Sequence, residues 1–366
     1  MNNSWKNTAI APDSSIRDAL LLLDKSALRI ALVVDNTDKL LGVLTDGDIR
    51  RGLLRNCTLQ HPVSDVMNPK PQTATWGTPR RELVKLMTER KLLSIPLLKD
   101  DKVVGLEILQ TSEASVQYDN PVFLMAGGFG SRLKPLTDNC PKPMLKVGDK
   151  PILEIVLNSF IRAGFHNFYM SLHYMPEQIQ AYFGDGSRWN VSINYIYEQE
   201  PLGTGGALGL LPDNLPDLPL ILMNGDLLTT IDFEQLLQFH NKQQADATMC
   251  VRDYEYQIPF GVINGEGNKV TSMVEKPIQR LFVNAGIYVI SPKVRKQVKA
   301  NQRIDMPTLL EQNIEQKNAV LMFPTHEYWL DIGRMDDYQR AQIDANAQTL
   351  YAPAGRRPGA GNLAGR

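Results

Sequence analysis

Apolar and polar positions follow two different patterns along the chain. In the first 115 residues one pattern recurs: residues 30–45 read IALVVDNTDKLLGVLT and residues 95–109 read IPLLKDDKVVGLEIL. Each run is a short apolar strand, a polar turn, and a second apolar strand carrying a glycine, Gly42 or Gly105. A helical period precedes each, over residues 15–24 (SIRDALLLLD) and residues 80–90 (RRELVKLMTER). A helix–strand–strand unit of roughly 60 residues cannot bury its apolar face alone, whereas two copies packed together can. Residues 1–115 therefore read as one α+β module built from an internal repeat.

Beyond it the pattern changes. Residues 112–120 (SEASVQYDN) are polar and without period, so residues 116–120 read as a linker. Apolar strands follow at 122–125, 168–172, 192–197 and 220–223, with helical stretches at 152–163, 176–183 and 233–241. This alternation predicts a Rossmann-like α/β fold over residues 121–350, with a mixed, mostly parallel sheet covered by helices. Such a sheet puts its ligand beyond the carboxyl ends of its strands. Residues 351–366, rich in Gly, Ala and Pro, read as a disordered tail of the kind an expression vector leaves.

Composition narrows the functional classes. The chain has 366 residues, 43% apolar and 22% charged, with a formal net charge of -1. That describes a soluble globular protein of more than one domain, and the missing basic excess argues against a nucleic-acid partner. No run of 18 apolar residues and no leader-like opening occurs, so a cytoplasmic protein without a membrane partner is expected. Cys57, Cys140 and Cys250 are far apart and form no CxxC pair, which fits a reducing compartment. The five histidines show no HExxH spacing.

The candidate chemistry begins where the first strand of the second half ends. The segment LMAGGFGSRLKPLT, residues 124–137, continues into PKPML at 141–145. Gly127, Gly128 and Gly130 let the backbone approach a ligand and turn consecutive N–H groups toward a phosphate chain. Neither a Walker A motif nor a dinucleotide fingerprint is present. A turn made only for chain reversal would leave Arg132 and Lys142 unexplained, the latter held between two prolines. Further on, Asp226 follows an apolar strand, where a carboxylate is well placed to hold Mg²⁺; a solvated Gly-Asp turn has the same spelling.

The segment resembles the signature GGxGxRLxPLTxxxPKPM of the sugar-1-phosphate nucleotidyltransferases, with every fixed position present. The resemblance covers about residues 121–345 and implies roles residue by residue. Leu124, Ala126, Gly127, Gly128, Gly130 and Ser131 would form the nucleotide loop, Arg132 would hold the departing pyrophosphate, and Lys142 the α-phosphate. EPLGTGGA at 200–207 is similar to the family's second nucleotide stretch, giving Glu200, Gly203 and Thr204 to the nucleotide. Glu275-Lys276-Pro277 and Val283-Asn284-Ala285-Gly286 are similar to elements in which Glu275, Lys276 and Asn284 meet the sugar phosphate. Trp329-Leu330-Asp331-Ile332-Gly333 looks like the late element whose carboxylate, Asp331, joins Asp226 on Mg²⁺; Asp331 as a structural cap is the alternative.

The implied enzyme joins an NTP to a hexose 1-phosphate and releases pyrophosphate. The wording leans toward the mannose-1-phosphate or glucosamine-1-phosphate guanylyltransferase branch, so GTP is favoured. Thymidylyl or uridylyl transfer to glucose 1-phosphate or a related sugar is one alternative, and a non-catalytic nucleotide-sugar sensing module another. The first half resembles a tandem pair of cystathionine-β-synthase-type (CBS) motifs, best at GVLTDGDIR, residues 42–50. That resemblance implies an adenine nucleotide at Thr45 and Asp48, beside a structural or dimerising role within a homo-oligomer. The second copy departs from the pattern, with Thr111 where the acidic residue would fall.

Overall fold

The structure, a computed structural model, describes residues 4–26, 29–90, 92–109 and 117–346. Thr111, the polar stretch 112–116 and the tail 351–366 lie outside the described residues. The chain divides into two compact units, with Met1–Ser115 in the first and Val116–Asn346 forming the second.

In the first unit both repeats fold alike. Ala9–Ile10 lies parallel to Ile30–Val34, which pairs antiparallel with Leu40–Thr45. The second copy repeats this with Ala74–Thr75, Ser94–Lys99 and Lys102–Ile108. The copies are tied together by backbone bonds, Leu40 N–H to Asp101 at 3.3 Å and Val103 N–H to Asp38 at 2.9 Å. Leu32, Val43 and Val103 share one core, which explains why neither copy stands alone. Thr45 and Asp48, read as nucleotide contacts, close a capping box at the helix Asp46–Leu54. The Asp48 carboxylate accepts from the Thr45 N–H at 2.9 Å and hydroxyl at 2.6 Å, and from Arg51 at 2.6 Å.

The second unit is built on seven strands. From one edge they run Ser192–Tyr197, Asn167–Leu172, Val122–Met125, Leu220–Asn224, Ile278–Ile290, Ala247–Gln257 and Val320–Thr325. Only Ile278–Ile290 runs antiparallel to its neighbours, so the sheet is mixed and mostly parallel. Side chains alternate between faces. Val122, Leu124, Ile221 and Met223 enter the core that includes Phe160 and Phe233, while Phe123, Leu220 and Leu222 enter the one with Met306 and Leu309. Burial on both faces is why these strands are written as unbroken apolar runs. Helices Ile152–Arg162, Pro176–Phe183 and Phe233–Lys242 supply residues to the first core, and Met306–Glu315 to the second.

Residues 117–120, read as linker, are tied into this unit. Tyr118 donates its N–H to Gly164 at 2.9 Å and stacks on Phe165, and the Asn120 amide donates to Pro219 at 2.7 Å. Polarity marked the segment as a connection, but its polar groups serve as anchors. Among the described residues no helix is long and apolar enough to cross a membrane.

His240 is buried in this unit with its Nδ1 2.9 Å from the Thr248 hydroxyl. Burial pushes the imidazole down to about 4, with Asp246 opposing weakly. The folded state therefore keeps it neutral, while the unfolded chain takes up a proton below about 6.5. Its contribution is full above that pH and is lost as pH falls toward about 4, by roughly 3 kcal/mol. Urea unfolding of the wild type and His240→Gln at neutral pH and at pH near 4 should show a shallower acid loss in the variant; parallel losses would contradict this account.

Candidate active site

The carboxyl ends of the central strands carry the residues singled out above. After Val122–Met125 the chain turns through Ala126, whose N–H donates to Ser171 at 2.9 Å, into the glycine loop. Gly130 has φ 62°, and a Cβ there would stand 2.9 Å from both Lys142 and Thr137, so this position accepts only glycine without displacement. Thr137 donates its hydroxyl to the Gly130 carbonyl at 2.9 Å, closing the loop on itself. Gly128 faces open space, and Ser131 and Arg132 are exposed in the short 3-10 turn that follows.

Lys142 is buried, on a 3-10 turn with Pro143, and forms an ion pair with Asp226. Asp226 follows Gly225, which is pressed against the first strand: its N–H donates to Met125 at 2.8 Å, and a Cβ would meet the same oxygen at 2.8 Å. Past Asp226, Leu227–Thr229 pairs antiparallel with Trp329–Asp331, setting Leu227 opposite Asp331. The Ile332 N–H donates to the Asp226 carbonyl at 3.2 Å. Asp331, at the end of its strand, and Asp226, in the turn before the strand that pairs with it, are thus brought together although about 100 residues separate them.

Asp331 lines the cavity and is exposed to it, while neighbouring protein still takes away part of its hydration. That desolvation first, and the Asp226 charge second, raise its carboxyl above the ordinary range, with Lys142 and Arg132 pulling the other way. Among the described residues, Oδ1 of Asp226 and Oδ1 of Asn224 are buried without a hydrogen-bond partner. Buried acceptors beside a carboxylate pair are a donor set of hard oxygens, and they fit a divalent cation.

A cavity of about 420 Å³ opens beside them. Asp331, Asn224 and Asn284 line it, with Thr204, Asp305 and Trp329. Asn284 is held from both ends, accepting from the Gly286 N–H at 2.9 Å and donating to the Tyr288 hydroxyl at 2.6 Å. Thr204 donates its N–H to Asp305 at 3.0 Å and its hydroxyl accepts from Met306 at 2.9 Å, seating Gly203–Gly206 on the start of Met306–Glu315. Gly203, at φ 79°, has no room for a Cβ against Asp305.

Other expected residues stand elsewhere. Glu200 is exposed and absent from the cavity lining. Its neighbour Glu198 does the anchoring: it accepts from the Leu202 N–H at 2.9 Å and from the Ser171 hydroxyl. Glu275 and Lys276 are exposed beyond Lys269–Val274 and do not line the cavity, although a Cβ on Gly261 would come within 2.9 Å of the Glu275 carboxylate. Sequence reasoning missed Glu198 and Asp305. No motif marks Glu198, but Asp305-Met306-Pro307 spells a helix start that could have drawn attention to Asp305.

Both units of the chain match known proteins. Residues 5–55 and 63–106 match the CBS domain model. The mannose-1-phosphate guanyltransferase of Yarrowia lipolytica is 31% identical over 226 residues, spanning 59% of this chain and 61% of that protein. The mannose-1-phosphate guanylyltransferase of Mycobacterium tuberculosis is 31% identical over 241 residues, spanning 63% and 66%. The chain therefore spans less than two thirds of the length of these curated relatives. Among solved structures, HddC from Yersinia pseudotuberculosis complexed with GMP-PN is 26% identical, with a TM-score of 0.50 over 62% of this chain and 99% of that one. A putative glucose-1-phosphate thymidylyltransferase from Bacillus anthracis, 22% identical with a TM-score of 0.50 over 62% and 94%, shares the fold. With residues 122–348 matching the nucleotidyl transferase model over a site of this construction, the chain belongs to that family.

Proposed function

We propose that this protein joins a hexose 1-phosphate to an NTP, giving an NDP-sugar and pyrophosphate, with GTP the favoured nucleotide and Mg²⁺ the metal. One observation carries the reading: the Lys142–Asp226 pair stands beside Asp331, which lines the cavity, and the glycine loop folds onto Lys142 at Gly130. The guanine preference draws on the relatives named as guanylyltransferases and on the HddC structure complexed with GMP-PN.

In this reading Ala126, Gly127, Gly128 and Gly130 receive the triphosphate through backbone N–H groups, with Gly203 and Thr204 on the nucleotide as well. Arg132 neutralises the departing pyrophosphate and Lys142 the α-phosphate. Asn284, in the cavity wall, positions the sugar phosphate; Glu275 and Lys276, given the same role by the family resemblance, stand outside that lining. A phosphate oxygen of the sugar forms the new bond to the α-phosphorus as the bond to the β-phosphate oxygen breaks, and the electron pair leaves with pyrophosphate. The nucleophile is already anionic near neutral pH, so positioning and charge neutralisation carry the rate. A divalent cation on Asp226 and Asp331, when bound, supplies further positive charge at the reacting phosphates. At the CBS pair, an adenine nucleotide would meet Thr45 and Asp48, whose side chains are already joined in a capping box.

The test is pyrophosphate release from each of the four common NTPs with a panel of hexose 1-phosphates, with and without Mg²⁺; GTP with a hexose 1-phosphate should be preferred, and no release from any pair overturns the proposal. Asp226→Asn should lose most metal-dependent turnover while keeping its fold by circular dichroism, and near-normal turnover at saturating substrate would remove Asp226 from the metal site. Lys142→Ala should lower kcat by about 100-fold, or about 3 kcal/mol of barrier, as loss of one preorganised donor does. Thermal unfolding measured on the same sample separates that loss from destabilisation by the carboxylates left unpaired.

A further inference from the structure

The two stretches assigned to the nucleotide come from different parts of the sheet, and one side chain belonging to neither holds them together. Glu198 follows the edge strand Ser192–Tyr197 and is half-buried. One of its carboxylate oxygens accepts from the Leu202 N–H at 2.9 Å, and the other accepts from the Ser171 hydroxyl. Leu202 leads into the turn Gly203–Gly206, and Ser171 stands near the end of Asn167–Leu172. The Ser171 carbonyl in turn holds the Ala126 N–H at 2.9 Å, where the glycine loop begins. A Cβ on Gly127 would stand 3.3 Å from the oxygen that Ser171 bonds, so the carboxylate lies against the loop itself.

The backbone of the same residue repeats the tie. Nδ1 of His173 donates to the Glu198 carbonyl at 2.8 Å, and a Cβ on Gly127 would come within 3.2 Å of the His173 Cβ. The His173 ring meets Phe129 of the loop edge-on, with centroids 5.2 Å apart. Leu202 and Ser171 are both buried, so without Glu198 each would keep a donor with nothing to accept it. A carboxylate has the sign of a phosphate chain, which makes it an unfavourable neighbour for a phosphate loop. What recommends it here is an acceptor at each of its two oxygens, one for each segment.

We infer that Glu198 is a positioning residue for the nucleotide. By bonding the start of Gly203–Gly206 and the strand end beside the glycine loop, it fixes the spacing between the wall that meets the base and the wall that meets the phosphates. A ligand fits both walls at once only at that spacing. Glu198 thus governs nucleotide affinity and base discrimination through its neighbours. Which part of the nucleotide each wall meets rests on the proposed function; the tether between the walls does not.

Steady-state kinetics of Glu198→Ala and Glu198→Gln, with hydrogen–deuterium exchange on the same unliganded samples, test the inference. Alanine strands both donors, whereas glutamine accepts from Leu202 with its oxygen and donates to the Ser171 hydroxyl with its amide. In the alanine variant KM for the preferred NTP should rise by about 10-fold or more, as for loss of a buried acceptor, with a narrower preference among NTPs. Its kcat at saturation and its KM for the sugar 1-phosphate should stay within about threefold of the parent. Glutamine should restore most of the NTP affinity. Amides of residues 202–206 should exchange about 10-fold faster in the alanine variant and near the parent rate in the glutamine one. Ser171→Ala, which removes one of the two bonds, should move NTP KM in the same direction by less, and it carries the test should Glu198→Ala fail to fold. An unchanged NTP KM in the alanine variants, or losses spread equally over kcat and both substrates, overturns the inference. If the parent releases no pyrophosphate from any pair, the proposed reaction fails and exchange decides alone: residues 202–206 as slow in the alanine variant as in the parent overturn the tether.

Discussion

The contact between Lys142 and Asp226 is the one on which the candidate site depends. Two neighbouring carboxylates repel each other, and partial burial removes the water that would screen them. The raised carboxyl of Asp331 records that crowding. Lys142, enclosed by prolines and almost out of solvent, supplies the compensating charge. Breaking a buried pair by removing one member is costly because the other is stranded. The buried acceptors on Asn224 and Asp226 are left without a hydrogen-bond donor in this setting, an arrangement that suits a divalent cation.

The sheet makes this possible by close approach at its carboxyl ends. Gly225 brings the fourth strand against the oxygen of Met125, and Gly130 folds its loop onto Lys142 and Thr137. A methyl group at either place would force the backbone apart, and with it the charges. The same economy holds across the cavity, where Gly203 lies against Asp305 and lets Thr204 seat one helix on another. The glycines here set distances between charges and hydrogen-bonding groups, beyond any service to a ligand.

What was legible in the sequence follows from burial. Strands covered on both faces, such as Leu220–Asn224, appear as unbroken apolar runs and were located to within a residue or so, as were the amphipathic helices. The glycine loop and the lysine between prolines were legible because no common structural need combines them. The long strands Ala247–Gln257 and Ile278–Ile290 were not read, since each has one end in the core and the other in solvent, mixing two patterns. Glu198 and Glu200 are two apart and chemically alike, and only the position of Ser171, 27 residues earlier, separates the anchor from the exposed side chain. Thr45 and Asp48 carry two meanings in one spelling, because the spacing that suits a ligand is also that of a helix cap.

The pairing of Leu227 with Asp331 has a consequence in time. The glycine loop leaves the ribosome early, while the second carboxylate belongs to a strand made about 200 residues later. The pairing itself closes a span of about 100 residues, and closing so long a span is slow. Until Trp329–Asp331 finds Leu227–Thr229, the Lys142–Asp226 pair stands without the second carboxylate, so the charge balance of the site is set only once nearly the whole domain has been made.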